Sequence, residues 1–581
     1  MALTHLRALR TIAALFFFLP ITFLFLDLGS NVPGSASDAF LYLQIIPALL
    51  KFFAGMGVMI FGIVFIALLT LLFGRVYCST ICPLGILQDV VNRIAKTISK
   101  KRRKRNYFAY AKPRYAIHYS ILAATAALFA LHSTMLLNLL EPFSNYGRVI
   151  HNLFRPILHA LNNAGAAVTE RFHVYFLYTI PFKEIAIGAV IVPLFFLALV
   201  VYLSYTRGRL FCNLLCPAGA LLGLISRYAI FKIEVNESTC TDCGLCEKVC
   251  KAQCIESKSK TIDHAACIGC FNCFNACPSE GLTFAHHYAK IDSHRTLSGA
   301  EASNLLNFFI PKRFLSLCEP VIQIFQHPSS HSDKRNGKDL GILTRRFGSA
   351  QRPADLRTLA TSRRAFLATA AIGTTLPVVL KVDSLTAPST AYMESRKHPV
   401  TPPGSLSVDH FTQYCTACHL CVTSCPAQVL IPSWFDYGIG GIFQPKMNYQ
   451  ASFCNYDCVK CTEVCPTGAL LPLLPEAKRL VQMGKVQFVR EDCIVVTKKT
   501  DCGACSEHCP TKAVHMVPEG KLSIPEVNND ICVGCGACEH ACPVKPRKAI
   551  FVNANPVHLT AKKPEVKKLE NPMGSGQDFP F

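Results

Sequence analysis

The chain has 581 residues, 51% of them hydrophobic and only 17% charged, with 30 cysteines and a mean hydropathy of +0.31. A positive mean hydropathy at this length argues against a purely soluble protein, and so many cysteines in so long a chain favour metal ligation over the disulfide scaffold of a small secreted protein. Lys and Arg exceed Asp and Glu by 22, but this excess flanks apolar runs, so it indicates membrane topology and no nucleic-acid partner.

Four apolar runs in the first 210 residues each reach the roughly 20 residues that a helix needs to cross a bilayer. The runs are Ala8 to Leu28, Phe52 to Phe73, Tyr115 to Leu136 and Glu184 to Tyr205. Basic residues place the N-terminus, the connection between the second and third runs and the end of the fourth run in the cytoplasm. We therefore predict an α-helical membrane domain over residues 1–230, with four to five spans in contact with lipid. A cleaved signal peptide fits poorly, because the first run is long and three more follow.

One sequence element occurs twice, each time directly after a run predicted to exit into the cytoplasm. GRVYCSTICPLG occupies residues 74–85, and GRLFCNLLCPAG occupies residues 208–219. Cysteines at positions i and i+4 share one helical face, so the two elements together offer four thiols to one partner. These thiols are Cys78, Cys82, Cys212 and Cys216. Metal binding, thiol redox chemistry and simple packing at a membrane-exit turn all remain open from the sequence.

Two polar residues near the outer end of the third run are candidates for quinol chemistry. His132 and Glu141 could accept the protons that quinol oxidation releases. The alternative is a polar pair at the level of the lipid headgroups. His118 and His132 lie on nearly the same helical face, but the other three runs contain no histidine to complete a haem site. No haem is therefore predicted.

Two cysteine quartets follow the fourth run, in a domain that we place at residues 231–290 in the cytoplasm. Their spacing is typical of a bacterial-type dicluster ferredoxin with α+β fold, in which the last cysteine of each quartet ligates the other [4Fe-4S] cluster. The predicted ligand sets are Cys240, Cys243, Cys246 and Cys277 for one cluster, and Cys267, Cys270, Cys273 and Cys250 for the other. Zinc is the alternative metal. Cys254 is left over as a spare thiol.

A linker and an export-like string come next. Residues 291–360 have a mixed composition that suggests a linker with one or two amphipathic helices at the membrane surface, and Cys318 within it is interpreted as an isolated thiol. The string SRRAFL at residues 362–367 resembles a twin-arginine export signal, which would suit a folded cluster-bearing domain bound for the far side of the membrane. We expect an uncleaved anchor over residues 361–381. The alternative is an ordinary buried helix behind two arginines.

The remaining chain carries four further quartets in a domain at residues 400–555. Their first cysteines recur at a 39-residue step, and proline follows every last cysteine. The quartets are Cys415, Cys418, Cys421, Cys425; Cys454, Cys458, Cys461, Cys465; Cys493, Cys502, Cys505, Cys509; and Cys532, Cys535, Cys538, Cys542. A repeated dicluster unit with four [4Fe-4S] clusters is predicted, which makes six clusters in all. Adjacent and nested exchange of the fourth cysteines both fit. Residues 556–581 are predicted to be a disordered tail.

These motifs resemble known redox proteins. Residues 1 to about 290 resemble the membrane quinol dehydrogenase subunit of periplasmic nitrate reductase systems (NapH type). Residues 360 to about 555 resemble the exported ferredoxin of the same systems (NapG or MauM type). The fusion of both in one polypeptide departs from the usual two-subunit arrangement. The resemblance implies a multi-pass protein of the bacterial inner membrane that oxidises quinol from the quinone pool. Electrons would then reach a periplasmic reductase or a c-type cytochrome.

Three functional hypotheses follow. The leading one is electron transfer from quinol through the clusters to a periplasmic acceptor, with the C-terminal domain outside and the first ferredoxin domain inside. The cytoplasmic clusters could also draw on a soluble donor. The second is a redox-active maturation or sensing factor for a metalloenzyme. The third places all six clusters in the cytoplasm. No motif for flavin or NAD is found.

Overall fold

The computed structural model of the protein describes residues 2–27, 34–98, 108–180, 187–286 and 398–564. All of these belong to one compact unit. The predicted linker, the twin-arginine string with its anchor, Cys318 and most of the predicted tail lie outside the described residues, so those expectations stay predictions.

The N-terminal part contains helices and no β-strand in its described residues up to Ile230. Its helices are α1 (Ala2–Leu26), α2 (Gly34–Leu41), α3 (Ile45–Phe53), α4 (Ile60–Phe73), α5 (Tyr77–Thr80), α6 (Pro83–Ile98), α7 (Tyr115–Ala130), α8 (Met135–Leu140), α9 (Pro142–Val149), α10 (Arg155–Arg171), α11 (Ile187–Arg207), α12 (Leu210–Leu214) and α13 (Pro217–Ser226). Short 3-10 and π turns cover Gly57–Met59 and Ile150–Phe154. Several helices start at proline, whose missing N–H costs nothing in the first turn.

Two helices in the described part of the chain are long and apolar enough to cross a membrane, over His5–Leu26 and Gly188–Arg207. The second and third predicted runs are shorter helices. The second run is broken where Gly55 has a φ of +96°, and the third is broken where His132 has a φ of +59°. A hydropathy average over a stretch of sequence does not detect such turns, because apolar residues flank them on both sides. The four-to-five-span domain is therefore not confirmed.

The first ferredoxin domain is closed by its terminal strands. Strand β1 (Phe231–Val235) pairs antiparallel with β4 (Leu282–His286), and both quartets lie between them in the chain. The short strands β2 (Ile255–Glu256) and β3 (Thr261–Ile262) form a hairpin inside this frame, preceded by helix α14 (Leu245–Val249). The domain is thus a small α+β unit that begins five residues after α13 ends.

The C-terminal part repeats this construction. Strand β7 (Val481–Phe488) pairs antiparallel with β10 (Ile550–Thr560), and the third and fourth quartets lie between them in the chain. The remaining elements are helices α15 (Val408–Tyr414), α16 (Leu420–Thr423), α17 (Lys460–Glu463), α18 (Pro475–Lys478), α19 (Ile494–Thr497), α20 (Ala504–Glu507) and α21 (Ala537–Ala541), and strands β5 (Leu430–Pro432), β6 (Pro445–Met447), β8 (Val514–Glu519) and β9 (Leu522–Val527). β5 pairs with β6 and β8 with β9, both antiparallel.

The predicted boundary of the tail at Pro556 is wrong. Strand β10 runs through this residue to Thr560, with a register irregularity between Ala554 and Leu559 that accommodates the proline. Pairing with β7 holds these residues in a strand. Local composition could not indicate this, because the partner strand is about 70 residues away in the sequence. Residues 565–581 lie outside the described part.

Helix α1 contacts both ferredoxin parts, near its opposite ends. Toward its N-terminus, Arg10 forms an ion pair with Asp89, which also binds Lys251 of the first ferredoxin domain at 3.1 Å. Toward its C-terminus, Phe25 packs against Phe143 of α9 with ring centroids 5.5 Å apart, and α1 also contacts α16 of the C-terminal domain. Fifteen helical residues separate Arg10 from Phe25, which corresponds to about 22 Å along the axis.

Candidate metal centres

The first centre combines three cysteines of one quartet with the last cysteine of the next. Cys240, Cys243, Cys246 and Cys277 line one shared pocket. Asp242 and Gly244 have φ values of +54° and +67°, which curl the loop so that its cysteines face one space. The Gly281 amide donates a hydrogen bond to Cys277 Sγ at 3.2 Å. Four converging thiols with an N–H···S bond fit the requirements of a [4Fe-4S] cluster.

The second centre contains five cysteines instead of four. Cys273 interacts electrostatically with Cys270, Cys267 and Cys250, so the last cysteine of the first quartet joins the second trio. Cys254 Sγ lies 3.5 Å from Cys250 Sγ and is also hydrogen-bonded to the Cys267 thiol. Sequence analysis treated Cys254 as a spare thiol. The available signal was its closeness to Cys250 in the sequence; the turn at Lys251 and Ala252, with a φ of +55° at Gln253, brings the two thiols together.

In the C-terminal domain, adjacent quartets exchange their fourth cysteines. Electrostatic contacts group the thiols as Cys415, Cys418, Cys421 and Cys465; Cys425, Cys454, Cys458 and Cys461; Cys509, Cys532, Cys535 and Cys538; and Cys502, Cys505 and Cys542. The four cysteines of the second of these groups line one shared pocket. Cys493, the remaining cysteine, is buried at the start of α19. The nested alternative that spacing left open is not the arrangement found.

The two halves of the C-terminal domain meet at their centres. The Cys454 amide donates a hydrogen bond to the Cys535 carbonyl oxygen, and the two thiols interact electrostatically. Cys421 likewise interacts with Cys461 within the first half. These contacts therefore link three of the four thiol groups of this domain.

The two repeated elements lie against each other, and the arginine of each element contacts the first cysteine of the other. Arg75 Nη2 donates to the Cys212 carbonyl oxygen at 3.1 Å, and Arg209 Nη1 donates to the Cys78 carbonyl oxygen at 2.9 Å. The four thiols of Cys78, Cys82, Cys212 and Cys216 interact electrostatically with one another, and each residue is at most 5% exposed. The structure thus brings together the thiols that the repeat suggested.

Both arginines of the paired elements are buried. Arg209 is fully buried and forms an ion pair with Asp89 at 3.0 Å. Burial alone would raise the pKa of Asp89, but Arg209, Lys251 and Arg10 outweigh it and hold that pKa well below its ordinary value. Sequence analysis did not assign a role to Asp89, because its partners come from three distant segments.

The two candidate residues for quinol chemistry have different surroundings. His132 is exposed at the turn after α7. Glu141 is 1% exposed and caps α9, where its carboxylate accepts hydrogen bonds from the amides of Phe143 and Ser144. Burial raises the pKa of Glu141. Arg148 lies nearby and interacts electrostatically with both Glu141 and the Cys418 thiol.

The C-terminal domain docks on α8, α9 and the turn that follows α9. The contacts join hydroxyl, imidazole and amide groups of the two parts, in the pairs Thr134 Oγ1 with the Thr412 carbonyl oxygen at 3.0 Å, Ser144 Oγ with Thr416 Oγ1 at 2.7 Å, His151 Nδ1 with Thr423 Oγ1 at 2.7 Å and Asn152 Nδ2 with His419 Nδ1 at 3.2 Å. These residues surround the first cysteine quartet of that domain. Sequence reasoning missed this surface, because isolated polar residues carry no signal for a partner hundreds of residues away.

Among the residues that the structure describes, no group of three or more His, Cys, Asp or Glu side chains is placed to hold a single metal ion.

Comparison with protein families places iron–sulfur domains on these regions. Families described as "4Fe-4S dicluster domain" match residues 414–470 and 500–545, which hold the paired quartets of the C-terminal domain. A family described as "4Fe-4S binding domain" matches residues 56–106 and 189–235, and another of the same description matches residues 267–281. The segments 56–106 and 189–235 contain both repeated elements and end before Cys240. The predicted dicluster ferredoxin domains are thereby confirmed for the C-terminal part, while the first ferredoxin domain is matched as an iron–sulfur domain over residues 267–281 alone.

Curated relatives match parts of the chain. The methylamine utilization ferredoxin-type protein MauM of Methylobacillus flagellatus is 33% identical over 156 residues, which cover 25% of this chain and 65% of the relative. The uncharacterized protein MJ0749 of Methanocaldococcus jannaschii is 33% identical over 128 residues, 20% of this chain and 51% of the relative. The regulatory protein NosR of Stutzerimonas stutzeri is 25% identical over 215 residues, 36% of this chain and 24% of NosR.

The chain thus spans only about half to two thirds of the length of the first two relatives. No solved structure matches it. Together, the thiol groupings, the matching domain families and the ferredoxin-type relatives identify 4Fe-4S ferredoxin domains in the chain.

Proposed function

We propose that the protein is a membrane electron-transfer component that oxidises quinol and passes electrons through its iron–sulfur centres to a periplasmic reductase or c-type cytochrome. The observation that carries the proposal is the contact of both ferredoxin parts with one helical body, near opposite ends of α1. A helical body between two sets of redox centres is the arrangement that electron transfer across a bilayer requires. The NapH-like and NapG-like halves inferred from sequence have the same division of labour.

The outer surface of the helices supports a membrane location. Phe16 of α1 is 62% exposed and Phe195 of α11 is 69% exposed, and other large apolar residues accompany them along both helices. A soluble protein rarely leaves such continuous apolar surface in water. Arg7 and Arg10 at one end of α1, and Arg207 and Arg209 at the end of α11, fit the excess of basic residues expected at a cytoplasmic face.

The side chains of the protein hold the iron–sulfur centres, shield them from water and place charge near them. When bound, iron–sulfur clusters supply one-electron carriers whose potentials respond to net charge, N–H···S hydrogen bonds and burial. Arg148 interacts electrostatically with the Cys415 and Cys418 thiols, and Arg75 interacts in the same way with the Cys267 thiol. Positive charge near a centre favours its reduced form, so these arginines favour electron entry at the centres on both sides of the helical body.

Quinol oxidation also needs groups that accept protons. Glu141 and His132 are our candidates, as carboxylate and imidazole near the docking surface of the C-terminal domain. Glu141 is next to Arg148, which in turn interacts electrostatically with the nearest thiols of that domain. A proton acceptor close to an electron acceptor is what coupled oxidation of a quinol requires.

The alternative of a maturation factor that exchanges thiols with a partner receives less support. Thiol exchange needs a sulfur that another thiol can reach. Cys78, Cys82, Cys212 and Cys216 are 4–5% exposed, so a partner protein has no access to them in this conformation.

The direct test is reduction of the full-length protein by quinol. Protein purified without oxygen is mixed with a water-soluble quinol, and bleaching of the visible cluster absorption is followed. Dithionite gives the full extent of reduction. We expect quinol to bleach a substantial part of that signal. Bleaching by dithionite with none by quinol would contradict quinol oxidation.

A matched pair of variants tests the proton acceptor. We expect Glu141→Gln to slow quinol-dependent reduction by roughly a hundredfold or more, the usual contribution of a positioned proton acceptor, with dithionite reduction unchanged. His132→Gln is measured in the same way. Glu170→Gln, an exposed change in α10, is the control. Equal quinol rates in Glu141→Gln, His132→Gln and Glu170→Gln would remove both candidates.

A further inference from the structure

We propose that helix α10, the loop that follows it and the loop around Trp434 of the C-terminal domain lie in the headgroup region of the lipid bilayer. The exposed apolar side chains of these segments are called the interfacial surface below. Its main members are Ile157, Leu161, Val168, Phe176, Trp434 and Phe435. The membrane location rests on the proposed function, but contact with lipid does not depend on quinol oxidation.

The polarity of α10 is the reverse of that of a helix on the surface of a soluble protein. Its exposed residues Ile157, Leu161 and Val168 are separated by four and seven positions, so they share one face, and Leu161 is 64% exposed. Arg155 and His159 lie on the opposite face and are buried. On a soluble protein the apolar face is the buried one. The outward apolar face of α10 therefore suits an apolar surrounding.

The loop after α10 extends the exposed apolar surface. Phe176 is 85% exposed and Tyr178 is 67% exposed. The loop is tied to α10, because Asn162 Nδ2 donates a hydrogen bond to the Tyr178 carbonyl oxygen at 3.0 Å and Asn163 Nδ2 donates one to the Ile180 carbonyl oxygen at 2.8 Å. Aromatic rings are thus held outward, and tyrosine and tryptophan are enriched where a membrane meets water.

The interfacial surface begins where the two helices that could cross a membrane have their non-basic ends. Arg155 Nη2 donates a hydrogen bond at 3.0 Å to the carbonyl oxygen of Asp27, which follows the last residue of α1. An added Cβ on Gly188 would overlap the indole ring of Trp434, so this ring lies directly on the first turn of α11. A bilayer that surrounds α1 and α11 would therefore reach both parts of the interfacial surface.

The length and composition of α10 place it along the interface and not across the bilayer. The helix has 17 residues and includes Asn162, Asn163 and Glu170, whereas a span needs about 20 mostly apolar residues. A helix with one apolar and one polar face lies in the plane of the headgroups. A partner protein is the other possible occupant of such a surface. Lipid fits better, because the surface adjoins the exposed apolar faces of α1 and α11.

This contact would bring the first quartet of the C-terminal domain close to the membrane. The rings of Trp434 and Phe443 have centroids 5.3 Å apart. His419 lies between Cys418 and Cys421 in the chain, and its Nε2 is 3.0 Å from the Phe443 carbonyl oxygen. The C-terminal domain is then held against the bilayer by its own side chains as well as by its docking contacts with the helices.

Tryptophan fluorescence tests the lipid contact, because Trp434 is the only tryptophan in the chain. The full-length protein with its clusters is reconstituted into phosphatidylcholine vesicles that carry a nitroxide either near the headgroup or near the end of the acyl chain. Each intensity is divided by that in unlabelled vesicles, which removes the constant quenching by the clusters. We expect the shallow nitroxide to quench Trp434 more strongly than the deep one.

Three variants move the single tryptophan to other positions, and each combines Trp434→Phe with one new tryptophan. Leu161→Trp in α10 should be quenched more strongly by the shallow nitroxide, as Trp434 is. Phe195→Trp, near the middle of α11, is the positive control and should be quenched more strongly by the deep one. Lys521→Trp, in the exposed turn between β8 and β9, is the negative control and should be quenched by neither.

The outcomes separate this inference from the proposed function. Quenching of Phe195→Trp with none of Trp434 and Leu161→Trp would overturn the lipid contact and leave the surface to a partner protein. Quenching of Lys521→Trp as strong as that of Trp434 would overturn it too, since the contact would not be specific. Quenching at no position would remove the membrane location itself. Trp434 needs no substitution, so its result stands even if a variant does not fold.

Discussion

At the scale of single residues, Cys254 shows what the spacing of cysteines in the sequence cannot predict. The quartet pattern assigns four ligands to each centre and leaves this thiol over, yet its Sγ lies 3.5 Å from that of Cys250. A cubane has four iron atoms and accepts one thiolate on each. With the predicted ligands in place, Cys254 is a neighbour whose thiol can donate a hydrogen bond to the sulfur of Cys250.

We predict that Cys254→Ala leaves the iron content of the protein unchanged, because four ligands remain at the second centre. Cys267→Ala, which removes a member of the trio, should cost about four iron atoms per chain. Iron and sulfide analysis of the two variants beside wild type is the measurement. Loss of iron in Cys254→Ala with full retention in Cys267→Ala would show that Cys254 is a cluster ligand and Cys267 is not.

Asp89 is the second residue whose role only the structure reveals. It is the carboxylate that Arg10, Arg209 and Lys251 share. We predict that Asp89→Asn lowers the free energy of unfolding by about 3–5 kcal/mol, because it leaves buried cations without their counter-charge. Denaturant unfolding in mild detergent measures the loss. Asp38→Asn breaks an ion pair whose carboxylate is 52% exposed and should cost less than about 1 kcal/mol.

We also expect the stability of the protein to depend on pH through the Asp89 carboxylate. Its pKa is lower in the folded than in the unfolded protein, so its stabilising contribution is complete above the ordinary pKa of aspartate, about 4, and declines as the pH falls below it. The stability difference between wild type and Asp89→Asn should therefore shrink toward acid pH. A difference that grows as the pH falls would contradict the assignment.

At the scale of elements, the paired cysteine elements depend on close backbone contact. A Cβ at Gly85 would lie 2.3 Å from the Cys78 carbonyl oxygen and 2.6 Å from Arg209 Nη1. We predict that Gly85→Ala destabilises the protein by at least about 1–3 kcal/mol, since the backbone must shift to make room. Gly57→Ala, where a Cβ would meet nothing within 4 Å, is the matched control. Thermal unfolding of both variants in detergent checks the difference.

Elements also show what the sequence could and could not predict. Cysteine spacing predicted the ferredoxin domains, because three thiols in one short loop are a local requirement. The exchange between adjacent quartets, such as Cys465 joining Cys415, depends on tertiary packing and could not be read from spacing. The apolar runs overestimated the length of two helices, since the turns at Gly55 and His132 are themselves flanked by apolar residues. Strand β10 was missed past Pro556 because its partner lies far away in the chain.

At the scale of the whole molecule, both ferredoxin parts contact the helical domain. The first ferredoxin domain meets the paired elements through Arg75, and the C-terminal domain meets α8, α9 and the following turn around Cys415 and Cys418. Electrons could enter at either part, so the membrane side of each domain decides what the protein connects.

The side of the C-terminal domain is therefore the decisive property of the whole molecule. We predict that a reporter fused to the C-terminus, of a type that tolerates export in the folded state, gives an outside signal in wild type. The signal should disappear in Arg363→Lys/Arg364→Lys, because twin-arginine export requires both arginines. A double change at Lys498 and Lys499 to arginine, which leaves charge intact and lies outside the string, is the control and should keep the outside signal. An inside signal in all three proteins would place every cluster in the cytoplasm and rule out transfer to a periplasmic acceptor, since the docking surface around Cys415 would then face the same compartment as the first ferredoxin domain.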